Sequence, residues 1–398
     1  MVRRSAQRLK LLLVTPALEI GGTEYSTMAI ATAMRRRGHE VVWASTGGPL
    51  AGRVRKAGLD LRLLPVDGRR PLGILRGVRV LRRAMADLTP DIVHCQELLP
   101  AVMCVAGRLG LRPEPRLIWH NRGIRHYCLA AWLFRYAGDL VICNSEYERS
   151  LLRRSGLPAG RSVVVHNAFY MDIVADSPDQ TDVREELAIP GHARIVLCPC
   201  RLVAGKGHRY LLEAFEQVAR DEPEAWLLLA GDGPARRQLQ AIANGLTARD
   251  RVVFAGFRQD MPRLYAEAAA VVFPSLAESF GNVATEALHY GKPLVATDAG
   301  GLPEATGEGR YAQLVPRADA GRLAQAISQV LRDPTRAQQR AADGQQWVAG
   351  YFTVERMANE IEVIYRELLE GRSGRQTSDT EAAGRSEGRQ HARADAHL

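Results

Sequence analysis

The stretch ESFGNVATE at 278–286 sets two carboxylates, Glu278 and Glu286, around Gly281, just after the apolar run Ala270–Phe273. If that run is a strand and a helix starts at Gly281-Asn282, the amides of 280–283 are the unpaired donors of a helix start. They point, with the helix dipole behind them, at an anion. Glu278 then lies on one side of the anion, and Glu286, about one turn into the helix, on the other. Carboxylates do not bind an anion, so each is placed to accept hydrogen bonds from hydroxyls. Hydroxyls on both sides of a diphosphate describe a sugar nucleotide. The plainer alternative is a strand, a loop and an ordinary surface helix.

CRLVAGKGH at 200–208 follows the run Ile195–Cys198 and precedes a helical pattern from Tyr210, so Arg201 and Lys206 are loop cations at a strand's carboxyl end. Arginine offers a planar bidentate contact to phosphate and lysine a mobile point charge, although solvated charge would look the same. The turns AGDGP at 230–234 and GGTE at 21–24 also sit between strand and helix. Each is weak alone, because any tight turn favours Gly and Asp. No GxGxxG follows a strand, and no GxxxxGK[ST] loop occurs.

These residues need a scaffold. Short apolar runs at Leu11–Val14, Val41–Ala44, Leu61–Leu64, Ile92–Val93, Leu117–Trp119, Leu140–Cys143 and Val163–Val165 alternate with helical stretches such as Glu24–Arg37. Ser145-Glu146-Tyr147-Glu148 has the form of a capping box. The composition turns polar around Met171–Thr181, a linker signal. The pattern then restarts at Ile195–Cys198, Trp226–Ala230, Val252–Ala255, Val271–Phe273 and Leu294–Ala296. Continuously apolar strands alternating with helices predict parallel sheets covered on both faces. Two doubly wound units leave a cleft, with ligands at the strands' carboxyl ends.

A chain of 398 residues accommodates two such domains. The basic start MVRRSAQRLKLLLVTPAL carries an apolar run too short for a signal peptide or a membrane span. The six cysteines form no CxxC pair, Cys198-Pro199-Cys200 being the closest spacing, which suits a reduced, cytoplasmic setting. Residues 1–170 carry 27 Lys and Arg against 12 Asp and Glu, whereas 171–398 carry 26 against 32. That asymmetry gives the first half an anionic partner or a set of solvated arginines. In RRPLGILRGVRVLRRAM, 69–85, Leu72, Leu75, Val78, Leu81 and Met85 recur at helical spacing beside Arg76, Arg79, Arg82 and Arg83. The segment reads as a core-packed helix with a solvated face or as an interfacial helix on anionic lipid. Nucleic acid is disfavoured, because no aromatic-rich basic stripe appears. From Gly371 onward large apolar residues are nearly absent, and a disordered tail is expected.

The stretch PSLAESFGNVATEALHYGKPLVATDAGGLPE, 274–304, resembles the signature of glycosyltransferase family 4, retaining enzymes of the GT-B fold. The E-x7-E spacing, the G-[KR]-P strand and the GG-x-x-E loop match, and RLVAGKG, GDGP and the early GG-x-E loop follow in the family's order. The resemblance covers roughly 9–369 and departs at His166-Asn167-Ala168, where the family usually reads P-N-G at the interdomain hinge. It implies two Rossmann-like domains facing across a cleft. These are an acceptor-side domain at 1–172, a nucleotide-sugar domain at 173–350, and a helix at 351–370 crossing back to the first domain, before a tail at 371–398.

By this resemblance, Arg201 and Lys206 bind the donor diphosphate and stabilise it as it leaves. Glu278 holds donor-sugar hydroxyls, with the amides of Phe280, Gly281 and Asn282 nearby and Val283 beside them. Glu286 binds the ribose, Gly22 lets the first-domain loop approach the phosphates, and His120 faces the sugar's reactive side. The base lies near Gly233 and Ala255–Arg258. The resemblance also implies same-face attack, with the leaving phosphate taking the acceptor's proton and with neither metal nor cofactor. The chain has no DxD motif. The donor is expected to be a nucleotide-diphosphate sugar and the acceptor a glycan or a lipid-linked glycan of a bacterial surface, made at the inner membrane face. Two other readings are an epimerase or hydrolase of the same fold and a non-catalytic membrane-binding module.

Overall fold

The apolar runs form two parallel sheets in the computed structural model, which describes residues 7–68, 70–123, 127–169 and 182–371. The first sheet contains β1 (Lys10–Val14), β2 (Glu40–Ser45), β3 (Asp60–Leu63), β4 (Ile92–Cys95), β5 (Arg116–His120), β6 (Leu140–Cys143) and β7 (Ser162–Val164). Their spatial order is β3-β2-β1-β4-β5-β6-β7. In the centre, Leu12 lies beside Val42 on one flank and Val93 on the other. Helices α1 (Gly22–Arg36), α2 (Ala51–Lys56), α3 (Pro71–Leu88), α4 (Leu98–Arg108), α5 (Tyr127–Tyr136) and α6 (Glu146–Arg154) connect the strands. Strands covered on both faces must be apolar throughout, and β4 and β6 are wholly buried.

The second sheet runs β10-β9-β8-β11-β12-β13. It consists of β8 (Arg194–Cys198), β9 (Ala225–Ala230), β10 (Val252–Gly256), β11 (Ala268–Phe273), β12 (Leu294–Thr297) and β13 (Gln313–Val315). Helices α7 (Val183–Glu186), α8 (His208–Asp221), α9 (Arg236–Asn244), α10 (Met261–Glu267), α11 (Asn282–His289), α12 (Leu302–Ala305), α13 (Ala320–Arg332) and α14 (Pro334–Tyr351) belong to this half. Each sheet reverses its winding once, between β1 and β4 and between β8 and β11. Those reversal points open the crevices in which such folds bind ligands.

The last helix, α15 (Val354–Leu369), returns to the first domain as expected. Its buried Met357, Ala358, Ile361, Ile364, Tyr365 and Leu368 join the first-domain core. Arg37 at the end of α1 bridges Glu355 and Glu362 on it. The linker expected at 171–181 lies outside the described residues, as does the expected tail beyond Gly371.

The capping box closes with a shift of one residue. Ser145 Oγ accepts from Glu148 N at 3.1 Å, while Glu148 Oε2 accepts from the N–H of Asn144 rather than of Ser145. The basic helix α3 divides along its length. Leu81 and Met85 are core residues, whereas Leu72 and Leu75 are 82% and 52% exposed.

Candidate active site

The loops after β8 and β11 are neighbours at the second sheet's reversal point, and they bring Lys206 and Glu278 together. Lys206 Nζ lies 2.5 Å from Glu278 Oε2 and 4.9 Å from the centre of the Phe273 ring. Ser275 Oγ donates to the same carboxylate at 3.2 Å. The predicted phosphate cation and the predicted sugar-binding carboxylate thus satisfy each other across 72 residues of sequence. Arg201, on the same loop, is exposed and has no ion pair among the described residues.

Backbone contacts lock these loops together. Leu202 N donates to Asp232 O at 3.0 Å, and Leu276 N to Gly205 O at 2.9 Å. A Cβ on Gly233 would sit 2.4 Å from Leu202 O, so only glycine allows the AGDGP turn to back onto the cation loop. Gly301 N donates to Glu278 O at 3.1 Å, which ties the GG-x-x-E loop to the first glutamate.

Helix α11 begins where the sequence places it. Its N-cap Gly281 has φ +109°, a left-handed conformation that favours glycine, and no side chain caps the helix. Phe280 is buried before it, and Asn282 and Val283 open it half-buried. One turn in, Glu286 accepts from Tyr265 Oη at 3.2 Å, and burial pushes its carboxyl up to about 7.

On the first-domain side, Gly22 starts α1 after β1, with no side-chain cap. His120 is fully buried at the end of β5, and both of its ring nitrogens are engaged. Arg122 Nη2 lies 3.2 Å from Nδ1, and Asn144 Oδ1 lies 3.0 Å from Nε2. Guanidinium can only donate, so Nδ1 accepts and Nε2 carries the hydrogen. Burial and the Arg122 charge hold this imidazole neutral, well below the ordinary histidine range. The ring stacks on His94 at 5.4 Å, and Tyr365 Oη contacts His94 Nδ1 at 2.7 Å, so α15 reaches this layer.

Arg122 is the residue that the sequence reading missed. It donates to Gln96, Ser26 and Asn167 as well as to His120, joining the ends of β4, β5 and β7 and the start of α1. Its position two residues after His120 was the available signal, because i and i+2 share a side in extended chain.

The two domains meet through the same loops. Asn167 Nδ2 donates to Asn282 Oδ1 at 3.0 Å, and Ser145 Oγ donates to Ser279 O at 2.6 Å. Glu304, of the GG-x-x-E loop, accepts from Glu146 N and Tyr147 N at 2.8 and 2.9 Å, the N-terminus of α6. His166, where the family usually has proline, lies 3.2 Å from Glu304 and stacks on Phe280 at 5.5 Å. These partners hold the Glu304 carboxyl below its ordinary range, with the His166 contact the largest lowering influence.

Two parallel-sheet domains joined in this way, with Lys206, Glu278 and the start of α11 gathered at the second reversal point, define the GT-B class. Two family models match the chain, Glyco_transf_4 (Glycosyltransferase Family 4) over 20–172 and Glycos_transf_1 (Glycosyl transferases group 1) over 179–347. The chain belongs to glycosyltransferase family 4. It is similar to the alpha-D-kanosaminyltransferase of Streptomyces kanamyceticus, 29% identical over 251 residues, 60% of this chain and 64% of that enzyme's length. It is also similar to the putative glycosyltransferase EpsD of Bacillus subtilis, 26% identical over 79% of this chain and 85% of that protein. In fold, it is similar to Anabaena HepE, a crystal structure in complex with UDP and glucose. The TM-score is 0.78 at 23% identity, covering 90% of this chain and 99% of that one.

Proposed function

We propose that the protein is a retaining glycosyltransferase that moves a sugar from a nucleotide-diphosphate sugar to a glycan or lipid-linked acceptor in bacterial surface polysaccharide or glycolipid synthesis. The observation that carries this reading is the set around α11. It comprises an uncapped helix start, Glu286 with Tyr265 on one side, and Glu278 with Lys206 on the other. The HepE structures hold UDP and UDP-glucose, which supports a uridine nucleotide as the first donor to try.

In this mechanism the donor diphosphate takes Lys206 and Arg201 as counter-ions and the α11 amides as donors. Glu278, released from Lys206, accepts hydrogen bonds from the sugar, and Glu286 from the ribose. Cations aimed at the departing diphosphate lower the barrier most where charge grows. The acceptor attacks from the face that the diphosphate leaves and gives its proton to the leaving phosphate, with no metal or cofactor. His120 lies fully buried with both ring nitrogens bonded, to Arg122 and Asn144, so it acts on the sugar only by giving up one of these partners and otherwise orders the wall beside it. Positioning supplies much of the remaining acceleration.

The acceptor side is assigned to the first domain, on the inner face of the plasma membrane. Exposed Leu72 and Leu75 on α3, with exposed Arg76, Arg79 and Arg83, support contact with anionic lipid. So do Leu129, Trp132 and Tyr136 on α5, which are 53%, 62% and 69% exposed. Both helices pack on the same face of the first sheet. Among the described residues no helix is long and apolar enough to cross a membrane. Calorimetric titration with a panel of UDP-, GDP- and TDP-sugars, followed by product analysis with acceptor lipid fractions, tests the proposal. Saturable binding of one nucleotide family and acceptor-dependent release of its diphosphate are expected. Donor consumption without any acceptor product would favour a same-fold hydrolase or epimerase.

A further inference from the structure

Behind the cleft three buried soft donors converge on the loop that carries Arg201 and Lys206. Cys198 ends β8, Cys200 follows one proline later, and His208 opens α8. Cys198 Sγ and Cys200 Sγ lie 3.5 Å apart, and Cys200 Sγ lies 3.3 Å from His208 Nε2. All three ligand atoms fall within 4.8 Å of one another. The residues are 0%, 7% and 2% exposed. Neither sulfur is in a disulfide.

Their polar bookkeeping is incomplete. His208 Nδ1 is buried with no partner among the described residues, and Nε2 meets only a thiol. A thiol is a weak hydrogen-bonding group, so this imidazole is poorly compensated for leaving water. A metal–nitrogen bond at Nε2 would compensate it. The spacing also fits, since metal–sulfur bonds of about 2.3 Å in a tetrahedral site separate the ligand atoms by roughly 3.8 Å. The 3.5 Å sulfur–sulfur and 3.3 Å sulfur–nitrogen spacings lie close to this, while Cys198 Sγ and His208 Nε2 lie within 4.8 Å and would draw together on an ion.

We propose that Cys198, Cys200 and His208 form a binding site for a thiophilic closed-shell cation, Zn2+ or Cu+, held by the two Sγ atoms and Nε2. Two thiolates and an imidazole are the donor set that such ions select. No fourth His, Cys, Asp or Glu joins the cluster among the described residues. Three soft donors suit Cu+, whereas Zn2+ in a tetrahedral site needs a fourth ligand, which a water buried with the ion would supply. The ion is structural. It ties the end of β8 to the start of α8 and so pins both ends of the 200–208 loop. The sequence led to the expectation of no metal anywhere in the chain, and this site departs from that expectation, on the loop that also carries Arg201 and Lys206.

The test uses the full chain, reduced and handled without oxygen. It is titrated separately with Zn2+ and Cu+ against a chromophoric competitor, and with Co2+ as a spectroscopic probe. One tight equivalent is expected, with a cobalt–thiolate charge-transfer band of the intensity of two thiolates and a rise in melting temperature on loading. C198S C200S should weaken binding by about 100-fold or more and abolish the melting shift, because losing a ligand exceeds the 10- to 100-fold cost of losing an outer-shell partner. H208N should weaken binding while keeping the thiolate band, so the test survives if one variant fails to fold. C128S, at the exposed cysteine, should bind like the wild type. Absence of a saturable single equivalent, or equal binding by C198S C200S, overturns the site. It is also overturned by a reduced chain that binds no ion and instead loses two hydrogens to peroxide as a Cys198–Cys200 disulfide.

Discussion

Glu278 and Glu286 are both half-buried carboxylates at the same helix start, yet they have different partners. Among the described residues the Glu286 carboxylate bonds Tyr265, beside the proposed ribose, whereas Glu278 is paired with Lys206. A charged acceptor lost from a hydroxyl costs about 1.5–3 kcal/mol, roughly 10- to 100-fold. Glu286→Ala should therefore weaken free nucleotide diphosphate and donor alike by that factor. Glu278→Ala should leave free diphosphate binding undiminished, or tighten it because Lys206 is freed, while transfer falls sharply, since the diphosphate has no sugar to hold. Calorimetry on both variants beside donor turnover checks this, and equal weakening of the diphosphate would reverse the assignment. These glutamates, Arg201 and Lys206 were legible in the sequence because strand-end loops announce themselves. The Lys206–Glu278 pair and the role of Arg122 were not. Their partners come from separate strand ends, and no local pattern encodes which ends become neighbours.

Glu148 carries a second prediction at this scale. It is fully buried, and burial pushes its carboxyl up to about 8 although Asn144 N–H opposes the shift. Above the ordinary carboxylate range and below 8, the folded chain holds a proton that the unfolded chain has released. Stability therefore falls as pH rises through that window, by about 1.4 kcal/mol per pH unit for one group. Glu24 and Glu286, each pushed up to about 7, act in the same direction. Buried His94 and His120, pushed down, act oppositely and only below the ordinary histidine range. Denaturant melts between pH 6.5 and 8 should show the wild type losing stability. Glu148→Gln should flatten that slope, and an unchanged slope would remove Glu148 as its source.

Elements were legible where one physical signal dominated. The wholly apolar strands and the amphipathic α8 and α13 declare themselves. Strand β13, only Gln313–Val315, is too short and too polar at its start to stand out. In α14 only Ala341, Gly344 and Val348 are buried, so its hydrophobic period is faint. Helix α3 shows why a stripe can mislead, since Leu81 and Met85 belong to the core while Leu72 and Leu75 face solvent. Vesicle binding belongs to this scale. Arg76, Arg79 and Arg83 changed to Ser should weaken binding to anionic vesicles and remove much of its salt dependence. Arg82 is left out because it donates to Gly107 O and Leu109 O. Equal affinity for neutral and anionic vesicles would reject the surface.

At the scale of the whole molecule, the sequence foresaw two domains and a returning helix but not what fastens them. At His166-Asn167-Ala168, which departs from the family pattern, His166 helps fasten the domains through Glu304 and Phe280. Removing Glu304 breaks two charge-assisted bonds to the start of α6. Glu304→Ala should enlarge the nucleotide-free molecule in small-angle scattering and raise the donor KM about tenfold or more. Unchanged dimensions would show that the domains are held elsewhere. The central claim is transfer with retention, driven by Arg201 and Lys206 at the leaving diphosphate. It is tested most directly by following turnover of the accepted donor by NMR, in the presence of chelator, for the wild type and for R201A K206A. The account predicts a product with the donor's anomeric configuration and a loss in the double variant on the order of 100-fold or more. An inverted product, or near-normal turnover without the two cations, would contradict it.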